Sequence, residues 1–266
     1  MKLKNKIISV AWEMNRILLS RSKGDSVVTV CEYPKGGGTW IAKMCATSLG
    51  LPYIGNGLFV PLVPCVIRTH WSPDARITPC IIVVRDVRDV MVSLFHHRVR
   101  NIENTPRRAT QYADKLGEAL NVDSIVSQLP GFMEIEFKDP RYGSHQNWVE
   151  YINKSIAISS STGKGVVLVR YEDVLSKPID TLYDAMTSIG KNALVDHVKI
   201  ATELHSAKWG NVQSNNLNES TFLRSATSGG WKACFSSESA AFIAENCGEQ
   251  LIKLQYEDDK NWWKSI

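Results

Sequence analysis

The stretch Val30-Cys31-Glu32-Tyr33-Pro34-Lys35-Gly36-Gly37-Gly38-Thr39-Trp40 decides the fold, because it joins an apolar, β-branched run to a segment of helical periodicity. Three consecutive glycines permit a backbone path that exposes N–H groups at a helix N-terminus, where the helix dipole favours an anion. Lys35 adds a positive charge and Thr39 adds a hydroxyl group. The stretch therefore predicts a phosphate-binding loop after the first strand. The alternative interpretation is a flexible turn with a solvated lysine.

Apolar runs and helical segments alternate on both sides of this loop. The runs are short and rich in β-branched residues, as in strands that are buried on both faces. They cover residues 26–31, 65–68, 80–84 and 165–169. The predicted helices cover residues 39–49, 87–100, 144–158, 179–189 and 238–254. This order predicts an α/β fold with a central parallel β-sheet, helices on both of its faces, and ligands at the carboxyl ends of the strands.

The composition is that of an ordinary globular protein. Hydrophobic residues make up 44% and charged residues 22% of the 266 residues, which excludes a disordered or fibrous chain. The length suits a single domain over residues 1–266. A net charge of +4 is too small to indicate a nucleic-acid partner, although it suits ligands that carry phosphate or sulfate. Six cysteines without a Cys-x-x-Cys pair predict buried reduced thiols. No carboxylate or Cys/His cluster has the spacing of metal ligands, so we expect no metal site.

Two segments lack a clear strand or helix pattern. Residues 1–24 begin like a signal peptide, but Glu13 and Arg16 interrupt the apolar stretch, so we predict an N-terminal amphipathic helix. No apolar run reaches the ~18 residues of a membrane-spanning helix, and we expect a cytoplasmic protein. Residues 101–142 are rich in proline and less regular, and they predict a lid or an acceptor-binding insertion. A merely decorative surface insertion is the alternative.

The glycine loop resembles the phosphosulfate-binding loop of the sulfotransferases that use 3′-phosphoadenosine 5′-phosphosulfate (PAPS). In that family the first strand ends in Tyr-Pro-Lys-Ser-Gly-Thr-Thr-Trp. The matching residues here are Tyr33, Pro34, Lys35, Gly37, Thr39 and Trp40. Gly36 and Gly38 replace two hydroxyl residues, so they offer backbone N–H groups without a side-chain hydrogen bond. The resemblance implies that residues 35–40 bind the cofactor and that Trp40 stacks on the adenine, whereas core packing is the alternative role of Trp40.

A second match follows the third strand. The family's 3′-phosphate motif has an arginine at the strand end and a serine eight residues later, which correspond to Arg85 and Ser93. A strand-end arginine can make a bidentate contact with a phosphate, and a serine two helical turns later can face the same group. The alternative is an exposed ion pair of Arg85 or Arg88 with a neighbouring aspartate. The later arginines of the stretch 85–108 either serve an anionic acceptor or face solvent.

A third match lies at the end of the second strand, in Arg68-Thr69-His70. The family has Lys-Thr-His there, and its histidine takes the proton from the acceptor hydroxyl. The resemblance implies that His70 is the general base and that Arg68 replaces the lysine near the transferred sulfuryl group. Arginine keeps that charge but differs in geometry. His96 and His97 are rival histidines, which we interpret as helix-face residues or acceptor contacts.

Two weaker matches extend the resemblance through most of the chain. Tyr171-Glu172-Asp173 resembles a Tyr-Glu-Asp segment whose tyrosine helps to bind the adenine end, although core packing is the alternative for Tyr171. Arg224 and Ser225 fall in a segment that resembles the Arg-Lys-Gly loop over the 3′-phosphate, and of that triplet only the arginine is present. The residues after Trp231 lack the family's usual dimer motif, so we do not expect a dimer of that type.

Together the matches imply a sulfotransferase that moves a sulfuryl group from PAPS to a hydroxyl of a small-molecule or glycan acceptor, without a metal. The resemblance assigns Lys35 to the leaving phosphate, His70 to the acceptor, and Ser93 to the 3′-phosphate and to restraining Lys35. A P-loop nucleotide kinase is one rival, but it requires Gly-Lys-Ser/Thr at the end of the glycine loop, and here the lysine comes first. A catalytically silent nucleotide-binding protein is the second rival.

Overall fold

The structure is a computed structural model that describes residues 27–55, 63–140, 146–161, 165–206 and 228–266. These residues form two compact units, each assembled from two separate stretches of the chain. The sheet unit comprises the described residues of 1–84 and 154–223, and the helical unit comprises those of 85–153 and 224–266. The predicted amphipathic helix at 1–24 lies outside the described residues. The domain boundary 1–266 stays a prediction.

Five parallel strands form one sheet among the described residues, in the order β2-β3-β1-β4-β5. The strands are β1 (Val27–Glu32), β2 (Tyr53–Gly55), β3 (Cys65–Thr69), β4 (Cys80–Val84) and β5 (Val166–Arg170). Every residue of β1 and β4 is buried, as expected at the centre of a parallel sheet that is covered on both faces. The predicted α/β class with a parallel sheet is confirmed. The short edge strand β2 had no signal in the sequence pattern.

Nine α-helices lie in the described ranges. They are α1 (Gly38–Leu49), α2 (Val87–Arg100), α3 (Pro106–Leu116), α4 (Ile125–Lys138), α5 (Trp148–Ser161), α6 (Tyr171–Ser176), α7 (Pro178–Ser188), α8 (Val195–Leu204) and α9 (Ser237–Lys253). The five predicted helices are found within a few residues of their expected bounds, and the predicted start of α5 at 144 lies outside the described residues. None of these helices is long and apolar enough to cross a membrane.

One face of the sheet packs against helices of the sheet unit. Alternate residues of β1 and β4 point to this face, and they meet apolar side chains of α1, α7 and α8. The buried cluster includes Val28, Val30, Ile81, Val83, Met44, Met186 and Val198. Each large apolar side chain that is fully buried contributes about 1.5–3 kcal/mol relative to exposure. All six cysteines are buried as well, as the sequence predicted.

Residues 101–142 are more regular than their sequence indicated. Helix α3 begins at Pro106, where proline is compatible with a helix because the first N–H groups have no intrahelical partner. Helix α4 contains Pro130, which is buried, so tertiary packing holds a helix that the proline by itself disfavours. The expectation of an irregular stretch was therefore wrong for these residues. A lid or acceptor-binding role for the segment stays a prediction.

A buried ion network joins α2, α3 and α4 of the helical unit. The Glu136 carboxylate accepts hydrogen bonds from Arg108 Nη2 at 2.9 Å and Arg98 Nε at 3.2 Å, and from the Tyr112 hydroxyl. All four side chains are buried. The expectation that the arginines after Arg85 serve an acceptor or face solvent is thus wrong for Arg98 and Arg108, because both are buried and pair with Glu136, which lies 38 and 28 residues further along the chain.

We predict that Glu136→Gln destabilises the protein by about 3–5 kcal/mol, because it removes the buried negative charge that Arg98 and Arg108 share. The measurement is the free energy of unfolding in urea. Glu134→Gln is the matched control, since Glu134 lies on the same helix and pairs with Lys115 at the surface at 2.5 Å. That exposed pair should be worth only about 0–1 kcal/mol. Equal losses in the two variants would contradict the prediction.

Candidate active site

The order in which the chain adds strands to the sheet reverses at β1. The chain leaves β1 towards β2 and β3 on one side, and it reaches β4 and β5 on the other side. In open parallel sheets, ligands bind in the crevice at such a switch point. The glycine loop follows β1 at this position, and Arg68 and His70 lie at the end of the neighbouring strand β3. The sheet therefore brings together two of the motifs that the sequence predicted, the glycine loop and the segment Arg68-Thr69-His70.

The glycine loop is a tight turn with two left-handed residues. The N–H of Gly36 donates to the carbonyl of Tyr33 at 2.9 Å, while Lys35 has φ +71° and Gly37 has φ +91°. A non-glycine residue in this region is strained, and such strain is concentrated at functional sites. The N–H groups of Gly37 and Thr39 make no hydrogen bond to the described residues. They remain available at the start of α1, where the helix dipole favours an anion.

Two aromatic side chains pack around the loop. A Cβ atom on Gly37 would lie 2.4 Å from Cδ2 of Tyr171, so the buried tyrosine ring rests directly on this glycine. Trp40 meets Tyr171 edge to face at 5.6 Å and donates its indole N–H to the carbonyl of His205 at 2.5 Å. Both aromatic residues therefore support the loop by packing. Their contact with an adenine stays a prediction.

Both ring nitrogens of His70 have partners. Nε2 lies 2.8 Å from Nη1 of Arg68, which can only donate, so Nε2 is the unprotonated acceptor. Nδ1 lies 3.3 Å from the carbonyl oxygen of Glu32, which can only accept, so Nδ1 carries the proton. Burial lowers the pKa of His70, while the Glu32 carboxylate raises it and Arg68 and Lys35 lower it. The imidazole is thus held neutral, with its lone pair on Nε2.

Glu32 is a site residue that the sequence analysis missed. It is the last residue of β1 and only 2% exposed, and its carboxylate contacts both the loop and the end of β3. Oε2 accepts the N–H of Gly38 at 2.5 Å, and Oε1 accepts Nη1 of Arg68 at 2.8 Å. Burial lowers the pKa of Arg68, but Glu32 and, to a smaller extent, Tyr53 together outweigh it and raise that pKa overall. The available signal was an acidic residue closing an otherwise buried strand.

The proposed 3′-phosphate residues lie in the helical unit. Arg85 follows β4 directly, Ser93 lies on α2, and both are half-buried. Arg224 and Ser225 lie outside the described residues. The roles of all four residues stay predictions.

The alternative ion pair at this motif exists, but for Arg88 and in a buried form. The Arg88 guanidinium contacts Asp86 through Nε at 2.9 Å and Nη2 at 2.7 Å. It also lies between the rings of Trp231 and Trp262, at 4.2 and 4.5 Å from their centroids. For Arg88 the pair is thus buried and not exposed, because aromatic side chains enclose this arginine, which ties α2 to the C-terminal segment.

Asp89 anchors the segment that follows the predicted 3′-phosphate loop. Its two carboxylate oxygens accept the backbone N–H groups of Gly229 at 2.8 Å and Trp231 at 3.0 Å. Asp89 lies on α2, the helix that carries Ser93. The same helix thus carries Ser93 and holds the backbone at Gly229 and Trp231, a few residues after Arg224 and Ser225 in the sequence. Within the described ranges there is no group of three or more side chains suited to hold a metal ion.

Comparison with known proteins supports the sequence resemblance. The family model described as "Sulfotransferase domain" matches residues 63–255, which is more than half of the chain. This range begins after the glycine loop, the part that carries the two glycine replacements. No significant match was found among curated protein sequences.

Solved structures share the fold at low sequence identity. The mouse sulfotransferase SULT7A1 complexed with PAP is 16% identical, with a TM-score of 0.65 over 91% of this chain and 90% of that chain. Retinol dehydratase with retinol and PAP is 16% identical, with a TM-score of 0.63 over 86% and 82% of the two chains. Retinol dehydratase with androsterone and the inactive cofactor PAP is 15% identical, with a TM-score of 0.61 over 85% and 80%.

We predict that Gly37→Ala destabilises the protein more than Gly50→Ala does. Gly37 and Gly50 flank α1 at its two ends, with φ +91° and φ +64°, so alanine at either position bears a left-handed strain of about 1–2 kcal/mol. Only Gly37 faces a neighbour, the Tyr171 ring, whereas a Cβ on Gly50 meets nothing within 4 Å. Urea unfolding measures the difference. Equal losses would show that the tyrosine ring does not constrain the loop.

Proposed function

The chain belongs to the sulfotransferase domain family, and we propose that it transfers the sulfuryl group of PAPS to the hydroxyl of a small-molecule or glycan acceptor. The observation that carries the proposal is the neutral His70, which lies beside the glycine loop at the carboxyl end of the sheet. The loop supplies a lysine and two unused N–H groups for an anion, and the histidine supplies a lone pair for a proton. A cytoplasmic location stays a prediction.

The residues of the loop fit the phosphosulfate end of such a cofactor. The half-buried Lys35 and the N–H groups of Gly37 and Thr39 lie at the N-terminus of α1, and residues 36 to 38 carry no Cβ. When bound, PAPS supplies a sulfuryl group whose S–O bond to the 5′-phosphate breaks as the acceptor oxygen bonds to sulfur. Lys35 and these N–H groups would stabilise the negative charge that develops on the phosphate oxygen.

His70 would act on the acceptor. Its Nε2 lone pair takes the hydroxyl proton as the oxygen attacks, and Nδ1–H stays bound to the Glu32 carbonyl. A positioned general base contributes typically ~10²–10⁴-fold to the rate. The charge of the resulting imidazolium is balanced by the nearby Glu32 carboxylate, whose Oε1 lies 3.9 Å from Nδ1.

Arg85 and Ser93 would discriminate between PAPS and ordinary adenine nucleotides, as the resemblance implies. Arg85 is placed at a strand end, and Ser93 follows on α2, as in the family's 3′-phosphate motif. Arginine suits this role because its guanidinium forms paired hydrogen bonds with phosphate oxygens. We assign Arg224 and Ser225 to the same phosphate on the resemblance alone.

The acceptor is proposed at the level of chemical class. Retinol dehydratase was crystallised with androsterone in one structure and with retinol in another, and both are small apolar molecules with a hydroxyl group. We retain a glycan as the second class of acceptor, because the chemistry of His70 requires only a hydroxyl.

We predict that PAP binds more tightly than ATP, and that Lys35→Ala and His70→Ala separate binding from transfer. Lys35→Ala removes a charge from the anion site, so it should weaken PAP binding and lower kcat. His70→Ala should leave PAP binding near wild type and lower kcat by about 10²-fold or more. Calorimetry measures binding, and transfer of labelled sulfate from PAPS to a panel of phenols, steroids and sugars measures activity.

The matched controls are the exposed residues Lys177→Ala and His197→Ala, which should retain wild-type binding and transfer. Tighter binding of ATP than of PAP would favour the kinase. Binding of PAP without any transfer would favour the silent binding protein. Full activity in both Lys35→Ala and His70→Ala would exclude the mechanism.

The pH dependence tests the base directly. His70 must be neutral to accept a proton, and its burial lowers its pKa below the ordinary 6.5. Activity should therefore rise with pH through a midpoint below 6.5 and stay level above it, until another group titrates. The measurement is kcat/KM for PAPS against pH, which reports the enzyme before PAPS binds. A midpoint above 6.5 would contradict the assignment of His70 in this environment.

A further inference from the structure

The mechanism above uses the buried Glu32 carboxylate only to balance the charge of His70, although that carboxylate also contacts the glycine loop and the end of β3. Oε1 accepts Nη1 of Arg68 at 2.8 Å, and Oε2 accepts the N–H of Gly38 at 2.5 Å. The same Arg68 nitrogen lies 2.8 Å from Nε2 of His70. A carboxylate that is only 2% exposed requires such compensation, because burying an unpaired charge is costly.

We propose that Glu32 is a positioning residue of this active site, which holds Arg68 against the base nitrogen of His70 and ties that pair to the glycine loop. The inference rests on the proposed function, since it assigns Glu32 to the same reaction. Glu32 itself touches neither the acceptor nor the cofactor in this role. It acts through Arg68 and through the backbone of Gly38.

The last glycine of the loop agrees with this role. A Cβ atom on Gly38 would lie 2.7 Å from Cδ of Glu32, so the Glu32 side chain occupies the space that a side chain at this position would need. A Cβ atom on Gly36 would instead meet the carbonyl oxygen of Tyr33 at 2.9 Å, and Oε2 of Glu32 only at 3.4 Å. Glu32 therefore accounts for the glycine at position 38, where its carboxylate bonds the loop N–H directly.

Arg68 lies beside the nitrogen of His70, Nε2, to which the proton of the acceptor hydroxyl would be transferred. Its Nη1 donates to the Nε2 lone pair of His70, so the guanidinium must shift before the acceptor hydroxyl can bond there. Its Nε–H is buried and has no hydrogen-bond partner among the described residues. A sulfuryl oxygen is a suitable acceptor for that group, and the Glu32 bond keeps Arg68 close while it shifts. Glu32 thereby limits Arg68 to a short movement between base and sulfuryl group.

The charges around His70 make the role measurable without turnover. Glu32 raises the pKa of His70, and Arg68 and Lys35 lower it. Glu32→Gln keeps the shape of the side chain and removes its charge, so the pKa of His70 should fall. Arg68→Met should raise that pKa. Nuclear magnetic resonance titration of the His70 ring protons in the unliganded protein measures both shifts.

Activity and binding should respond differently in Glu32→Gln. Removing a negative charge next to an anion site should leave the affinity for PAP equal to wild type or tighter, whereas kcat should fall by about tenfold or more because Arg68 is no longer held. The double variant Glu32→Gln/Arg68→Met should have the kcat of Arg68→Met alone, since Glu32 acts through Arg68. Glu203→Gln, at an exposed acid of α8, is the control and should match wild type in every measurement.

The outcomes separate this inference from the proposed function. Wild-type kcat together with a wild-type His70 pKa in Glu32→Gln would overturn the positioning role, and so would parallel losses of PAP affinity and kcat. If Glu32→Gln does not fold, the double variant Glu32→Gln/Arg68→Met takes its place, because it leaves no unpaired buried charge. A kcat of the double variant below that of Arg68→Met overturns the role, and an equal kcat supports it. If the wild-type protein transfers no sulfuryl group from PAPS, the proposed function fails, while the histidine titration still decides whether Glu32 and Arg68 set the state of His70.

Discussion

The hydrogen bond from the Gly38 N–H to the Glu32 carboxylate joins the two parts of the sheet unit on which the site depends. It connects the start of α1 to the end of β1, and the same carboxylate reaches across to Arg68 at the end of β3. Because Glu32 is buried, neither contact can be replaced by water without loss of stability. The path of the loop, the position of Arg68 and the protonation of His70 therefore depend on one side chain.

Buried charges organise both units of this protein. In the sheet unit Glu32 pairs with Arg68, and in the helical unit Glu136 pairs with both Arg98 and Arg108. Arg88 is paired with Asp86 and enclosed by Trp231 and Trp262. These arginines contribute to the net charge of +4 but not to a basic surface. The composition therefore indicates little about ligands, and the residues that face an anion are identified only by their position in the fold.

The secondary structure was predictable where local patterns are strong. The runs that became β1, β3, β4 and β5 are apolar and β-branched, and Gly37 and Gly50 mark the ends of α1. Prolines misled the interpretation of residues 101–142, because Pro106 suits a helix start and packing maintains α4 around Pro130. The three-residue strand β2 has too few residues for a periodic signal. These differences arise where tertiary contacts override the local preference of the chain.

The sequence by itself determined the α/β class, the glycine loop with Lys35, and the positions of Arg68 and His70 at a strand end. These features follow from short-range patterns and from motifs whose spacing is visible along the chain. Only the tertiary structure revealed Glu32, because its partner Arg68 is 36 residues away and meets it only when β1 and β3 pair. It also decided that Arg98 and Arg108 are internal and that His70 is neutral with its proton on Nδ1. Each of these depends on burial and on which charges face each other, and both are properties of the folded chain.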